Sequence, residues 1–528
     1  MAINNYYFSG FGKIIMSIKV TLLYPPHQTW PGSLVKPNGS LAYPMLAGAL
    51  LEHDIEVNIV DAIVGTDKET VDEVFYKSTE LPSGLYRTGL SDERILEEVA
   101  DSDIIGLTSI FSDQETMVLY TARLIKKHFP EKLIVSGGVN ARNRLQRFFD
   151  AGIDLVCLSE AERTIIQIVR VMERKSRDFS GVSSVAYEKN DRLVLNKTKI
   201  EDVTYDLDEL PMPAWDLMPI EKYWEIGRPH GGLYLENYKK GELKYASLMT
   251  SLGCPFKCMF CHIAGETEGE VAGPIGKFRI KSDDRVLREI AQLKNLGVKQ
   301  IYIEDDALFG RRNRGMRLFK KIRKENLDIL DVNGVNIIHL LRKGKPDPEI
   351  IDIMIEAGFK EIGLPFESAN PRIISKYVSN KWDPVNSDVI GLIKLCKQKG
   401  LMLSGNYMIG YPDETREEIQ RTIDMAKTHV AAGLDSVHFM CVMPLPGTPL
   451  FDMAMAGGFL PKDLQVDKMH WVKANMINTA VPPEELEMIR DRAWEDVNPD
   501  TYKNAKKKMV WGLEGQDIPY RSEAMADG

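Results

Sequence analysis

Between residues 18 and 445, short apolar runs alternate with amphipathic stretches in two separate blocks. Such alternation leaves few folds open. A strand–helix–strand repeat buries its apolar faces only in a parallel sheet covered by helices. In the first block, strands are expected over 19–24, 56–61, 103–109, 132–136 and 154–158. Helices are expected over 43–53, 91–100, 113–127, 140–151 and 162–174. Ser91 suits the N-cap of the second helix and precedes an acidic first turn. The pattern predicts a doubly wound, Rossmann-like α/β domain with its ligand at the carboxyl ends of the strands. Those ends carry Thr108 and Ser109, Gly137 and Gly138, and Ser159 and Glu160. No G-x-G-x-x-G follows the first strand, which argues against a dinucleotide.

In the second block, strands are expected over 246–252, 300–304, 330–337, 361–366, 402–409 and 436–441. The helices between them fall over 283–296, 313–324, 347–357, 384–399 and 414–431. This spacing fits a partial (β/α)6, TIM-like barrel, whose chemistry also belongs at the carboxyl ends of its strands. The segment 176–245 reads as a linker with a small hairpin around Asn190-Asp191 and a proline-rich stretch over 208–219. The expected layout is an extension (1–16), a first domain (17–175), the linker (176–245), the barrel (246–450) and a mainly helical cap with a tail (451–528). Helices are expected in the cap near 484–496 and 500–510.

Directly after the first barrel strand come Cys254, Cys258 and Cys261, spaced C-x3-C-x2-C. Three soft thiolates on one loop suit an iron–sulfur cluster with one iron left open. Zinc is the alternative, but structural zinc sites usually pair two C-x2-C arms, and no second arm is present. The chain has six cysteines in all, and Cys157, Cys396 and Cys441 are scattered singly. That is no disulfide framework and implies a reducing compartment, with these three read as buried free thiols. Cys441 ends the last barrel strand, and His262 directly follows the cysteine trio. Lys257 and Lys277 flank the loop and read as solvated.

The formal net charge of −9 lacks the basic excess of a nucleic-acid binder. The polar, aromatic N-terminus has no apolar signal-peptide core, and no run of 18 apolar residues occurs. A cytoplasmic protein with no membrane partner is expected, and a monomer is favoured.

The C-x3-C-x2-C loop, with Phe260 before its third cysteine, resembles the signature of the radical S-adenosylmethionine (SAM) superfamily. Other strand ends agree: Glu304-Asp305-Asp306 after strand two, and Glu367-Ser368 after strand four, where Ala369 replaces the usual glycine. Strand five runs into Gly410-Tyr411-Pro412-Asp413-Glu414, and Pro444-Leu445-Pro446-Gly447-Thr448-Pro449 follows strand six. The resemblance implies a [4Fe–4S] cluster on Cys254, Cys258 and Cys261. It implies SAM contacts from Phe260, Asp305, Asp306, Glu367, Ser368, Gly410 and Pro412.

The first block is similar to the cobalamin-binding domain that precedes many radical SAM barrels. Tyr24-Pro25-Pro26, the 106–113 run and the stretch from Gly137-Gly138 to Ser159-Glu160-Ala161-Glu162 carry this likeness. It implies cobalamin contacts from Thr108, Ser109, Gly137, Gly138, Ser159 and Glu160. A departure concerns the D-x-H-x-x-G motif that ligates cobalt in other cobalamin domains. Here the stretch reads Asp61-Ala62-Ile63-Val64-Gly65, with isoleucine for histidine and the glycine one residue early. Base-off cobalamin with no histidine from this motif is therefore implied.

Together the two resemblances imply a methyltransferase for an unactivated carbon of a small-molecule precursor, with a flavodoxin or ferredoxin as electron donor. A fainter likeness, through Gly89-Leu90-Ser91-Asp92, the 110–114 run, Pro213-Ala214-Trp215 and the 223–226 run, is to the branch acting on phosphonate-type precursors. The alternatives are a rearranging or ring-closing enzyme of the same type, or a cobalamin-dependent sensor or carrier. Methylthiotransferases carry a second cysteine trio that this sequence lacks.

Overall fold

The computed structural model describes residues 17–30, 37, 40–227, 229, 241–267, 269 and 271–504. The expected extension, the end of the helix over 500–510 and the tail lie outside the described residues, as does most of 228–240.

The first sheet has seven strands: β1 (Lys19–Tyr24), β2 (Glu56–Asp61), β3 (Ile104–Thr108), β4 (Leu133–Gly137), β5 (Leu155–Cys157), β6 (Val185–Lys189) and β7 (Arg192–Asn196). Their order is β7-β6-β5-β4-β3-β1-β2. The first five strands run parallel, each alternating with helix, and the order reverses around β1. Ser91 caps Asp92–Val99 as expected, accepting from the Arg94 amide. The helix expected over 140–151 is instead two short helices, Val139–Asn143 and Leu145–Phe149, broken at Arg144. The hairpin assigned to the linker forms β6 and β7, and β6 extends this sheet antiparallel to β5. Its Val185 and Ala186 are fully buried, so pairing with β5 covers apolar surface that a free hairpin would expose.

The second sheet comprises β8 (Tyr245–Leu248), β9 (Gln300–Ile303), β10 (Asp328–Asp331), β11 (Phe359–Glu367), β12 (Met402–Ile409) and β13 (Ser436–Cys441). All pair in parallel and in sequence order, the wall of an open barrel. Helix starts are set by Ser282, Asp347 and Thr415, each accepting a backbone amide, and Thr415 completes a capping box with Glu418. Two strands differ from expectation. The run over 246–252 is split, so that Ser251 and Leu252 leave β8 and pair antiparallel with Ile280 and Arg279. The run over 330–337 stops at Asp331, because Gly334 (φ 93°) turns the chain into a short helix, Ile337–Leu340.

The linker joins the two sheets. Trp215, Met218, Tyr223 and Trp224 are buried in one continuous apolar core with residues of both sheets. Trp224 Nε1 donates to the Tyr245 carbonyl of β8 at 2.7 Å. Each fully buried Leu- or Phe-sized side chain in such a core stabilises by about 1.5–3 kcal/mol. The helix Pro483–Val497 packs across the end of β12, where Leu486 stands against Gly410. No described helix is long and apolar enough to cross a membrane.

Candidate active site

The cysteine loop leaves the barrel wall at Leu252 and returns into the short helix His262–Glu266. Its shape is fixed by backbone contacts. The Cys254 amide donates to Gly276 O (3.1 Å), the Met259 amide to Tyr377 O (2.9 Å) and the Lys257 amide to Ser379 Oγ (3.0 Å). Cys258 Sγ rests against Val378 O at 3.3 Å. Burial pushes all three thiols up, Cys254 to about 11 and Cys261 to about 12. Three thiols, one buried and two half-buried, that repel one another when ionised suit a polynuclear cation that takes one thiolate per iron. The residues present therefore fit a cluster.

Strand-end residues surround the loop. Phe260 faces Tyr411 (ring centroids 6.4 Å apart), and Tyr411 stacks on Tyr377 (4.7 Å). Asp306 accepts from the Gly253 amide at 3.1 Å. Burial, with Asp305 beside it, pushes its carboxyl up to about 7. Asp305 has both oxygens engaged: the Thr250 amide donates to Oδ1, and the Thr250 and Ser251 hydroxyls donate to Oδ2. Glu367 ends β11 in the left-handed region (φ 59°) and pairs with Lys381 at 2.5 Å, both buried. Lys381 also lies in the field of Cys258 and Cys254. Lys257 and Lys277, in contrast, are exposed. Ser368 is fully buried and turned into a hydrogen-bonded network with Asn370 and Thr422. At the end of β12, Glu414 Oε2 accepts from the Gly410 amide (2.8 Å) and the Tyr411 amide (3.3 Å), and the Pro412 carbonyl accepts from the Ala480 amide of the cap. Burial pushes Glu414 up to about 8.

The structure thus gathers Phe260, Asp306 and Glu367 around the cysteines, sets Gly410 and Pro412 in the turn on either side of Tyr411, and leaves Asp305 and Ser368 behind them as supports. Nothing in the sequence singles out Lys381, which sits 14 residues after Glu367 in no motif. Asp331, at the end of β10, is a second such residue. It is buried, and among the described residues neither carboxylate oxygen has a partner within strict hydrogen-bond geometry, the nearest donors being the Gly334 and Gly363 backbone. Burial pushes it up to about 8, offset in part by the nearby Gly334 and Gly363 backbone. His262 Nδ1 lies 3.1 Å from Glu266 Oε1, but burial, with Arg142 nearby, pushes the imidazole down to about 4, so the ring is neutral near pH 7 and no ion pair forms. Cys157, Cys396 and Cys441 are buried, with thiols pushed up to about 12.

At the first sheet, Thr108 ends β3 and Ser109 follows it, beside Gly137, the last residue of β4, and Gly138 after it. The Thr108 amide donates to Tyr43 Oη (3.0 Å), and Asn140 Nδ2 donates to Ser109 Oγ (2.9 Å). Gly138 (φ 108°) admits no side chain, since a Cβ there would lie 2.4 Å from Ser109 O. Among the described residues, the buried Asn140 Oδ1 has no hydrogen-bond partner. Ser159 and Glu160 face the barrel. Ser159 Oγ donates to Ala272 O (2.9 Å), and Glu160 accepts both terminal nitrogens of Arg279. Ile63, at the histidine position, is buried in the core. Asp61 accepts from Tyr223 Oη (2.6 Å) and is pushed up to about 6 by burial.

Residues 248–426 match the family model of the radical SAM superfamily. An uncharacterised methyltransferase of Pyrococcus horikoshii is 30% identical over 70% of this chain and 75% of its own length. The chain belongs to the radical SAM superfamily. The cytidylyl-2-hydroxyethylphosphonate methyltransferase of Streptomyces wedmorensis is 25% identical over 87% of this chain and 86% of its own. The solved cobalamin-dependent SAM radical enzyme OxsB, with aqua-cobalamin bound, shares the fold (TM-score 0.66, 15% identity, 95% of this chain and 72% of that one). This radical SAM enzyme therefore has the two-sheet architecture of its cobalamin-dependent relatives: an N-terminal parallel sheet domain, then the barrel.

Proposed function

We propose that this enzyme is a cobalamin-dependent methyltransferase that methylates an unactivated carbon, or a phosphinate-type centre, of a small molecule. The observation that carries the reading is the juxtaposition of two strand-end sites. The carboxyl ends of the first sheet, at Ser159 and Glu160, touch the segment that follows the cysteine loop. A carrier at one site thus lies close to a radical generated at the other. The methyltransferase relatives support the same reaction, and the Streptomyces relative makes 2-hydroxyethylphosphonate derivatives the first substrates to try.

When bound, the cluster, SAM and cobalamin supply a 5′-deoxyadenosyl radical and a methyl donor. The chain's own residues hold and shield them. Cys254, Cys258 and Cys261 take three irons of the cluster. Asp306, with one oxygen outside its bond to Gly253, accepts the SAM amino group. Lys381 offers a cation to the SAM carboxylate, and Glu367 an acceptor to the ribose hydroxyls. Phe260, Tyr411 and Tyr377 wall the space against water, while Gly410 and Pro412 carry the backbone edge beneath them. Thr108, Ser109, Gly137 and Gly138 form the floor for base-off cobalamin, with Ile63 in place of a ligating histidine. The corrinoid unit spans 17–175 with the β6–β7 hairpin added, and the SAM barrel spans 246–450. A small acidic redox protein of the flavodoxin or ferredoxin type supplies the electron.

The test is anaerobic purification with cluster reconstitution and added hydroxocobalamin, then incubation with SAM, reductant and 2-hydroxyethylphosphonate derivatives. Bound corrinoid, with 5′-deoxyadenosine and S-adenosylhomocysteine both formed, is the expected result. Deoxyadenosine without S-adenosylhomocysteine would replace methyl transfer with rearrangement or ring closure. A folded protein that binds neither iron nor corrinoid refutes the proposal.

A further inference from the structure

Arg279 sits where the first sheet, the linker and the cysteine loop meet, and it is buried. All five of its N–H donors are engaged. Nη1 donates to Glu160 Oε2 (2.9 Å) and Thr204 O (2.7 Å), Nη2 to Glu160 Oε1 and Ile275 O (2.8 Å), and Nε to Lys277 O (3.4 Å). A guanidinium has five donors in a fixed fork, so no hydrogen-bonding capacity is left over. The partners belong to three different parts of the chain: the end of the first sheet, the linker, and the strap 271–279.

That strap is gripped by the cysteine loop along its length. Gly276 O accepts from the Cys254 amide (3.1 Å), and the Gly276 amide donates to Glu266 O (3.1 Å) at the end of the helix after Cys261. Leu252, two residues before Cys254, pairs with Arg279 itself. The packing is backbone on backbone: a Cβ at Gly253 would lie 2.5 Å from both Gly276 O and Lys277 O, and one at Gly276 would lie 2.6 Å from Ile263 O. On the other side, Ala272 O accepts from Ser159 Oγ, and Val271 packs on the core of the first sheet. A displacement of Glu160 therefore reaches the Cys254 amide through one rigid side chain and one hydrogen-bonded turn.

We propose that Arg279 is a positioning residue that fixes the cysteine loop, and with it the cluster, at a set place relative to the strand ends of the first domain. The inference rests on the cofactor assignment above and adds to it the device that registers the two sites. Lysine cannot replace the fork, because one ammonium has three donors and no bidentate face for Glu160.

The test is Arg279→Lys, with Arg285→Lys as control. Arg285 is equally buried and donates to the linker carbonyls of Leu210 and Pro211 and to Glu289, but it does not touch the strap. Two quantities are read: the EPR spectrum of the reduced cluster, and the hydroxocobalamin Kd of the reconstituted protein. Arg279→Lys is expected to keep the parent's iron content, to shift or broaden the EPR signal, and to raise the Kd on the order of tenfold, the loss of one charge-assisted hydrogen bond. Arg285→Lys is expected to leave both unchanged. Glu160→Gln, which keeps an acceptor in place, should shift the EPR signal in the same sense by less, and it serves if Arg279→Lys fails to fold. A folded Arg279→Lys protein with the parent's spectrum or the parent's Kd overturns the proposal, as does a Glu160→Gln protein with an unaltered spectrum. A parent protein that takes up neither iron nor corrinoid instead overturns the cofactor assignment on which it rests.

Discussion

Replacing Lys381 by methionine strands Glu367. The two side chains are only 9% and 6% exposed, so water screens neither, and they pair at 2.5 Å at the end of β11. Removing one partner of a buried ion pair costs about 3–5 kcal/mol, because the remaining charge has no compensation. Glu367 also sits in the left-handed region, which a non-glycine residue holds only when its surroundings over-determine it. For a domain of the barrel's size, each kcal/mol moves the thermal midpoint by about 2–4 °C, so Lys381→Met should lower it by roughly 10 °C. Adding Glu367→Gln removes the stranded charge and should restore more than half of the loss. Function should not follow stability. Both the single and the double variant should bind SAM weakly in equilibrium dialysis, since neither presents a cation beside the cysteines. The assay is anaerobic circular-dichroism melting of the three proteins at equal iron content. A Lys381→Met protein that melts within 2 °C of the parent, or a double variant no more stable than the single one, refutes the reasoning.

Three further outcomes are expected. Cys258→Ser should abolish the visible absorbance of the reconstituted cluster and 5′-deoxyadenosine formation while leaving the fold intact by circular dichroism, since the hydroxyl is a poor iron ligand. Asp331 is held protonated up to about pH 8, so its contribution to stability is present below the ordinary carboxylate pKa and is lost as the pH rises through about 8. Asp331→Asn should remove that loss: the variant's melting midpoint should gain on the parent's between about pH 5 and pH 8, and a constant gap would refute it. Gly138→Ala must move Ser109 O or its own backbone, at a cost of about 1–3 kcal/mol, and should weaken hydroxocobalamin retention while iron content stays at the parent level.

Both sheets were legible in the sequence because their signals are local. β1 and β2 fall on the expected residues, since each is a six-residue run rich in β-branched and aliphatic side chains, too short for a helix, with its buried part at Val20–Leu23 in β1 and Ile59–Asp61 in β2. The cysteine loop was legible for the same reason: its spacing lies within eight residues. What escaped depends on contacts between distant segments. The β6–β7 hairpin looks like a free ornament until β5 offers it an edge. Asp305 and Asp306 are adjacent and chemically identical in sequence. The fold alone separates them, closing Thr250 and Ser251 over the first and leaving one oxygen of the second outside its bond to Gly253.

The same logic explains why the buried cations went unseen. Lys381 and Arg279 lie in stretches with no motif, and in water each would read as an ordinary solvated charge. Their partners, Glu367 and Glu160, stand 14 and 119 positions away. Burial of a charge is tolerated only with its counter-charge and its remaining hydrogen bonds in place, so each pair ties two segments at a fixed separation. One tie secures the end of β11 beside the cysteine loop, and the other secures the seam between the two sheets. Under the proposed two-centre chemistry, those are the positions where a rigid, directional contact does more than an apolar one of equal area. An apolar replacement of either pair would pack, but it would let the two segments slide.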